Sequence, residues 1–165
     1  MNSLTLLNDL FRQMAWADAL AWRSVFASEA ARDDKQLRGR LHHIHLCQHA
    51  WLKIWKGEPV DANAGEGFDV RQLAAWARQY HDAAAQYLEG LSESDLGERV
   101  IVPQTGEDFR QPHLWESFVQ ITTHSTYHRG QVSARIREIG GEPAQTDFVL
   151  WVGLGKPNAD WPENL

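Results

Sequence analysis

The sequence predicts an all-α fold, a four-helix bundle, and three features carry that prediction. Four long stretches repeat apolar residues at the 3.6-residue period of a helix. No strand-rich region of comparable length competes with them. Gly- and Pro-containing segments punctuate the chain where the long stretches stop. At 165 residues the chain is expected to form a single domain, residues 1–165, around one core.

The first helix is expected over residues 3 to about 28. Ser3 is a candidate cap, and Leu7, Leu10, Met14, Ala17, Ala21 and Val25 form the apolar stripe. Trp16 and Trp22 lie off that stripe, so another helix or a partner subunit must cover them. The second helix should begin near Asp33 or Asp34 and run to about Trp55, where Gly57 and Pro59 stop it. An irregular connection follows, and a third helix starts at Asp69 with a capping-box pattern of Asp69 and Gln72. Its stripe of Val70, Leu73, Ala77, Ala84, Leu88 and Leu91 includes His81, which reads as an inward histidine with a hydrogen-bond partner. Residues 97 to 112 break the pattern, as a short irregular hairpin or a simple loop. The fourth helix is expected from about Pro112 to Ile139, ending at Gly140-Gly141, followed by a short apolar segment at 147 to 154 and an irregular tail.

Composition narrows the function. A formal net charge of −6 provides no electrostatic footprint for nucleic acid or an anionic membrane surface. The single cysteine, Cys47, excludes an internal disulfide, and neither a signal peptide nor a membrane-length apolar run is visible. The expected location is cytoplasmic. What stands out is eight Trp and eight His.

The histidines concentrate in two helices. His124 and His128 are four residues apart, so on a helix both rings leave the same face one turn apart, a metal-ligand spacing. Ile121, Val132, Ile136 and Ile139 share or border that face, so the rings are expected to point into the interior. The pair alone is equally compatible with two hydrogen-bonded core histidines, and a third ligand must decide. In the second helix, periodicity sets His43 in a row with Cys47, Ala50 and Ile54, toward the core or its edge. His42, His49 and Lys53 fall on the opposite side, with His45 nearer to them, and are expected to be solvated or packed on the surface. His45 and His49 share the four-residue spacing but lack inward-facing companions.

Taken together, His124 to Gln131 with Tyr127, Arg129 and Gly130, then Gly140, Pro143, Asp147 and Trp151, resembles the carboxy-terminal signature of the DinB-like, or DinB/YfiT-like, metal-binding helical bundles. Leu41-His42-His43-Ile44 with Trp51-Leu52 resembles that family's second-helix motif, and Phe11 to Leu20 its first helix. The resemblance implies a bundle, commonly a homodimer, holding a divalent metal such as zinc or nickel on His43, His124 and His128. One departure is Gln120, where many relatives carry a further histidine.

Three imidazole ligands suit zinc, nickel, cobalt or copper better than magnesium or calcium. They also leave an open coordination position, the mark of a catalytic rather than a structural zinc site. A metal-dependent hydrolase is therefore the first expectation, although no Glu accompanies the histidine pair as it does on a metalloprotease helix. Asp18, Gln120, Gln131 and Tyr127 are candidates to support the ligands. Arg129 is read as binding a substrate carboxylate or pairing on the surface, and Gly130 as allowing a neighbouring backbone to approach. By resemblance, a transferase or isomerase using a low-molecular-weight thiol is the enzymatic alternative. A non-enzymatic, dimeric metal-binding stress-response protein is the other. Cys47, one turn from His43, is read as a small buried hydrophobe rather than a nucleophile.

Overall fold

Three of the four long helices begin where a short polar side chain takes up free backbone amides of the first turn. In the computed structural model, which describes residues 2–103, 105–106 and 108–162, the cap of α1 (Ser3–Ala27) is Asn2 rather than Ser3, with Asn2 Oδ1 accepting from the Thr5 amide at 2.9 Å. Ser28 then caps a short α2 (Glu29–Asp33), a turn of helix that periodicity did not resolve. Asp34 caps α3 (Lys35–Trp55) and also pairs with Arg135 at 2.7 Å, tying the start of α3 to the end of α5 (Leu114–Glu138). The expected capping box of Asp69 and Gln72 opens α4 (Val70–Glu89).

Between α4 and α5 lie a 3-10 turn at Asp95–Gly97 and irregular chain carrying one isolated antiparallel bridge, Arg99 with His113. The expected hairpin is therefore reduced to a single bridge, and no strand forms among the described residues. Pro112 precedes the cap of α5, His113, instead of entering its first turn, and Glu116 accepts from the His113 amide at 2.7 Å. Gly140 leaves α5 at φ +83, a left-handed conformation in which glycine carries no Cβ penalty. The chain then runs back along α1, held by Ser24 and Gln13, into α6 (Phe148–Gly153). Trp151 is fully buried there against Trp16 and Ala17, so this chain's own C-terminal segment covers Trp16.

The closest packing is between α3 and α5, α1 and α5, α3 and α4, and α1 and α4. The four long helices thus form a ring, with α1 and α3 on one diagonal and α4 and α5 on the other. Aromatic and aliphatic side chains fill one end of the core around Phe11, Trp55 and Phe118, and the other around Trp22, Leu41 and Val132. Among the described residues, no helix is long and apolar enough to cross a membrane.

A polar network sits between these two clusters. Asp18 of α1, 2% exposed, accepts from Arg129 of α5 at 2.7 Å, from His81 of α4 at 2.9 Å and from Gln48 of α3 at 2.8 Å. Trp22 Nε1–H donates to His45 Nε2 at 3.0 Å, which leaves His45 Nδ1–H to donate to Gln48 Oε1 at 2.8 Å. Gln48 also reaches Ser125 Oγ at 3.1 Å. Burial alone would raise the Asp18 carboxyl, but the Arg129 charge and the His81 hydrogen bond outweigh it and hold it well below the usual carboxylate range. His45 moves down to about 4, chiefly through burial.

This placement corrects three expectations. His45 is buried rather than solvated, and Arg129, 3% exposed, is an internal counter-ion that faces neither substrate nor solvent. Asp18 is likewise used up in the core. Gly130 also departs from its expected role, because a Cβ built there would meet nothing within 4 Å and no backbone closes on it.

Two outcomes are expected. Asp18→Asn strips the charge from the centre and leaves Arg129 buried without a counter-ion, costing about 3–5 kcal/mol in urea unfolding. Asp18→Leu combined with Arg129→Met should cost less than the two single changes summed. The pH dependence follows from the directions of the shifts. His45 has a folded value of about 4 against 6.5 unfolded, so the unfolded chain binds its proton first and stability falls as pH drops from 6.5 toward 4. The depressed Asp18 adds a further loss below the unfolded carboxylate range, as pH falls toward its folded value. Urea midpoints measured across this range should decline throughout, and His45→Gln should flatten the portion above pH 4.

Candidate metal centre

Because α3 and α5 lie side by side, residues on their outer edges meet across the seam. His43 comes from α3, and His124 and His128 come from successive turns of α5. The ring centroids lie 5.2 Å apart for His43 and His124, 4.5 Å for His43 and His128, and 4.4 Å for His124 and His128. The structure therefore brings the three sequence-selected histidines into one cluster.

The cluster does not point into the interior, as the sequence reading expected. His43 is exposed, and His124 and His128 are half-buried. The inward row of α5 is Ile121, Ser125, Arg129, Val132 and Ile136, one position round the helix from the histidines. Ser125 and Arg129 look like surface residues by type, and only the buried network gives them inward partners. On α3, Leu41, Ile44, His45, Gln48 and Leu52 face in, and His43 sits at the edge, within the range its row with Cys47 allowed.

The other two α3 histidines are packed elsewhere. His42 donates to the Ala64 carbonyl at 2.9 Å, and His49 donates to the Trp76 carbonyl at 2.9 Å while stacking on the Trp76 ring at 4.2 Å. Both are half-buried on the α4 side, and each has a backbone partner.

The edge histidines have few partners of their own. His128 Nδ1–H donates to Gln131 Oε1 at 2.9 Å, which fixes the tautomer and leaves Nε2 with a free lone pair. Gln131, a sequence candidate for supporting a ligand, is therefore in position to do so. Its backbone carbonyl also accepts from Arg40 at 2.6 Å, another tie between α5 and α3. His124 Nδ1 is buried with no hydrogen-bond partner, an atom that a metal or a water would satisfy. Cys47 Sγ lies 3.9 Å from His43 Nε2. His43, Cys47 and His124 each present one ligand atom, all within 4.8 Å of one another. Tyr127 is exposed, with its ring edge-on to His128 at 5.0 Å, and Gln120 is exposed.

Burial and neighbouring histidines shift two of the rings, His43 and His124, toward the ligating form. Partial desolvation, followed by repulsion from His128 and His42, lowers His43 below the ordinary histidine value. His124 is lowered by burial and then by His128 and His43. Burial raises the Cys47 thiol, so it stays protonated at neutral pH when nothing binds it. The nitrogen and sulfur donors fit a borderline transition cation such as zinc or nickel, and not a hard oxygen-seeking ion. Cavities of about 660 and 490 Å³ lie elsewhere, beside Arg23 and Trp161 and beside Leu6 and Trp115, and none of the three histidines lines them.

The comparisons with known proteins agree with this architecture. The family model described as DinB family matches residues 13–154, which include both histidine-bearing helices. Among curated proteins, the chain is similar to Protein DinB of Bacillus subtilis (strain 168), at 22% identity over 123 residues, covering 70% of this chain and 72% of the relative. No solved structure matches. With the family match running from the first helix through the end of the sixth, the chain belongs to the DinB family.

Proposed function

We propose that this chain binds one divalent transition metal on His43, His124 and His128 and uses it as a Lewis acid toward a small molecule. The observation that carries the reading is the convergence of three imidazoles from two helices at a solvent-accessible seam, with burial lowering His43 and His124 below the ordinary histidine value. Gln131 orients the His128 ring, and the packing of α3 on α5 sets the distance from His43 to the pair. When bound, the cation supplies positive charge to whatever oxygen or sulfur donor takes its open position.

Metal-dependent hydrolysis is the first form of this reading, because three protein ligands leave room for water. A thiol-dependent transfer is the second, and one feature favours it. Among the described residues, the hydrogen-bonding neighbours of the three rings are Cys47 and Gln131, with no carboxylate to act as general base. Asp18, the acid that could have served, is committed to the core. A free thiol beside such a site also suits a reducing cytoplasmic setting.

Protein purified without an affinity tag should contain about one zinc or nickel per chain by elemental analysis. His43→Ala and His128→Ala should lose it while keeping the parent circular dichroism, because these rings are not in the core. Gln131→Leu should weaken metal affinity by about 10–100-fold without abolishing it. A parent chain that is metal-free and takes up neither ion on titration would sink the proposal. Turnover of an activated ester without added thiol supports hydrolysis, whereas turnover only with a low-molecular-weight thiol supports transfer.

We further propose that the chain works as a homodimer. Leu6, Trp115 and Val119 are exposed around one groove between α1 and α5, an apolar surface suited to a second copy. Sedimentation equilibrium should give twice the chain mass, and Trp115→Lys should shift it to the monomer.

A further inference from the structure

We propose that Cys47 is a fourth, displaceable ligand of this centre, occupying the coordination position that an external substrate or thiol must take. The inference rests on the metal-binding reading above and adds to it a built-in competitor. His43 and Cys47 are four residues apart on α3, so they project from the same face one turn apart. The sulfur contacts His43 Nε2 at 3.9 Å, and Cys47 is half-buried and packs against the apolar cluster around Trp55 and Phe118.

The ligand atoms of His43, Cys47 and His124 lie within 4.8 Å of one another. Zinc bonded tetrahedrally to nitrogen and sulfur at about 2.0–2.3 Å places its ligand atoms roughly 3.3–3.6 Å apart. The cluster is therefore up to about 1 Å more open than a bound zinc would set it. The close group of ligand atoms is His43, Cys47 and His124, and the His128 ring stands beside it, its centroid 4.5 and 4.4 Å from those of the two histidines, so its side chain must turn to join them in a four-ligand set. On His124 itself, Nδ1 is buried with no hydrogen-bond partner among the described residues, so that ring is not held by a protein hydrogen bond at that atom.

The step balances simply. The Cys47 S–H bond breaks, its proton goes to solvent, and the sulfur lone pair forms a bond to the cation in place of a water. An incoming low-molecular-weight thiol reverses this, ligating through its own sulfur while Cys47 takes back a proton. The closed form has four protein ligands, and the open form has three and a vacant position for chemistry.

The test is a cobalt(II) chloride titration of the full chain, followed by absorption spectroscopy and by the rate of Cys47 alkylation. The parent should develop a near-ultraviolet thiolate-to-cobalt band, and bound cobalt should slow alkylation by at least about tenfold. Cys47→Ser should bind cobalt without that band, and added low-molecular-weight thiol should restore alkylation in the parent while cobalt stays bound. Cys47→Ala serves as a second variant if the serine variant is poorly folded. If the parent binds cobalt with no thiolate band and alkylation is unchanged, Cys47 is not a ligand while the three-histidine reading stands. If the parent binds no cobalt, both fall.

Discussion

A single buried carboxylate organises this bundle. Asp18 lies at the crossing of the two diagonals, and its oxygens take hydrogen bonds from α3, α4 and α5 at once. A carboxylate in that position is tolerable only when every partner is present, since its desolvation is worth several kcal/mol and any missing donor exposes that cost. The network therefore acts less as glue than as a template. Apolar packing between helices tolerates a slip of register, but a slip of one turn, about 5.4 Å, would leave the charge unpaired. The relative heights of α1, α3, α4 and α5 are tied to one atom pair each.

That template also sets the histidine cluster. Gln48 is five residues beyond His43 on α3, and Ser125 and Arg129 each follow a cluster histidine directly on α5. The inward residues meet at Asp18 in the core, and the neighbours that carry the imidazoles are delivered to the same seam outside. The electrostatic demand of the interior and the geometry of the surface site are thus one constraint seen from two sides of the same helices. Ser125 and Arg129 do not touch the three rings, yet they decide where those rings stand.

Much of this was legible in the residues, and the failures share a cause. The caps at Asp34 and Asp69 declare themselves because a short polar side chain followed by helix-period residues has one efficient use. Ser3 misled only because Asn2, equally able to cap, stands beside it. The pairing of His124 with His128 needs nothing but the helical period, and the choice of His43 over its neighbours needed the row it shares with Cys47. Periodicity failed where polar residues occupy inward rows. His45, Gln48, Ser125 and Arg129 are surface types by chemistry, so the inferred inward face is turned by about one residue on α5, and His45 is assigned to the wrong side of α3. Nothing local to those residues signals burial, because their partners lie on other helices. The adjacency of α3 and α5 is equally non-local, and before the structure it rested on family resemblance.

The rotation has a chemical consequence. Had the three histidines faced the core, each would have required a permanent hydrogen-bond partner, as His45 and His81 have, and those partners would compete with a metal for the same lone pairs. At the seam, the rings carry fewer such commitments. His124 keeps a buried nitrogen without a partner, and His128 spends one nitrogen on Gln131 and holds the other free. Full exposure would bring the opposite problem, with flexible rings ordered only at an entropic cost. A half-buried edge between two helices locked in register by Asp18 lies between those limits, holding the ligands in place while leaving one side of the site open to exchange.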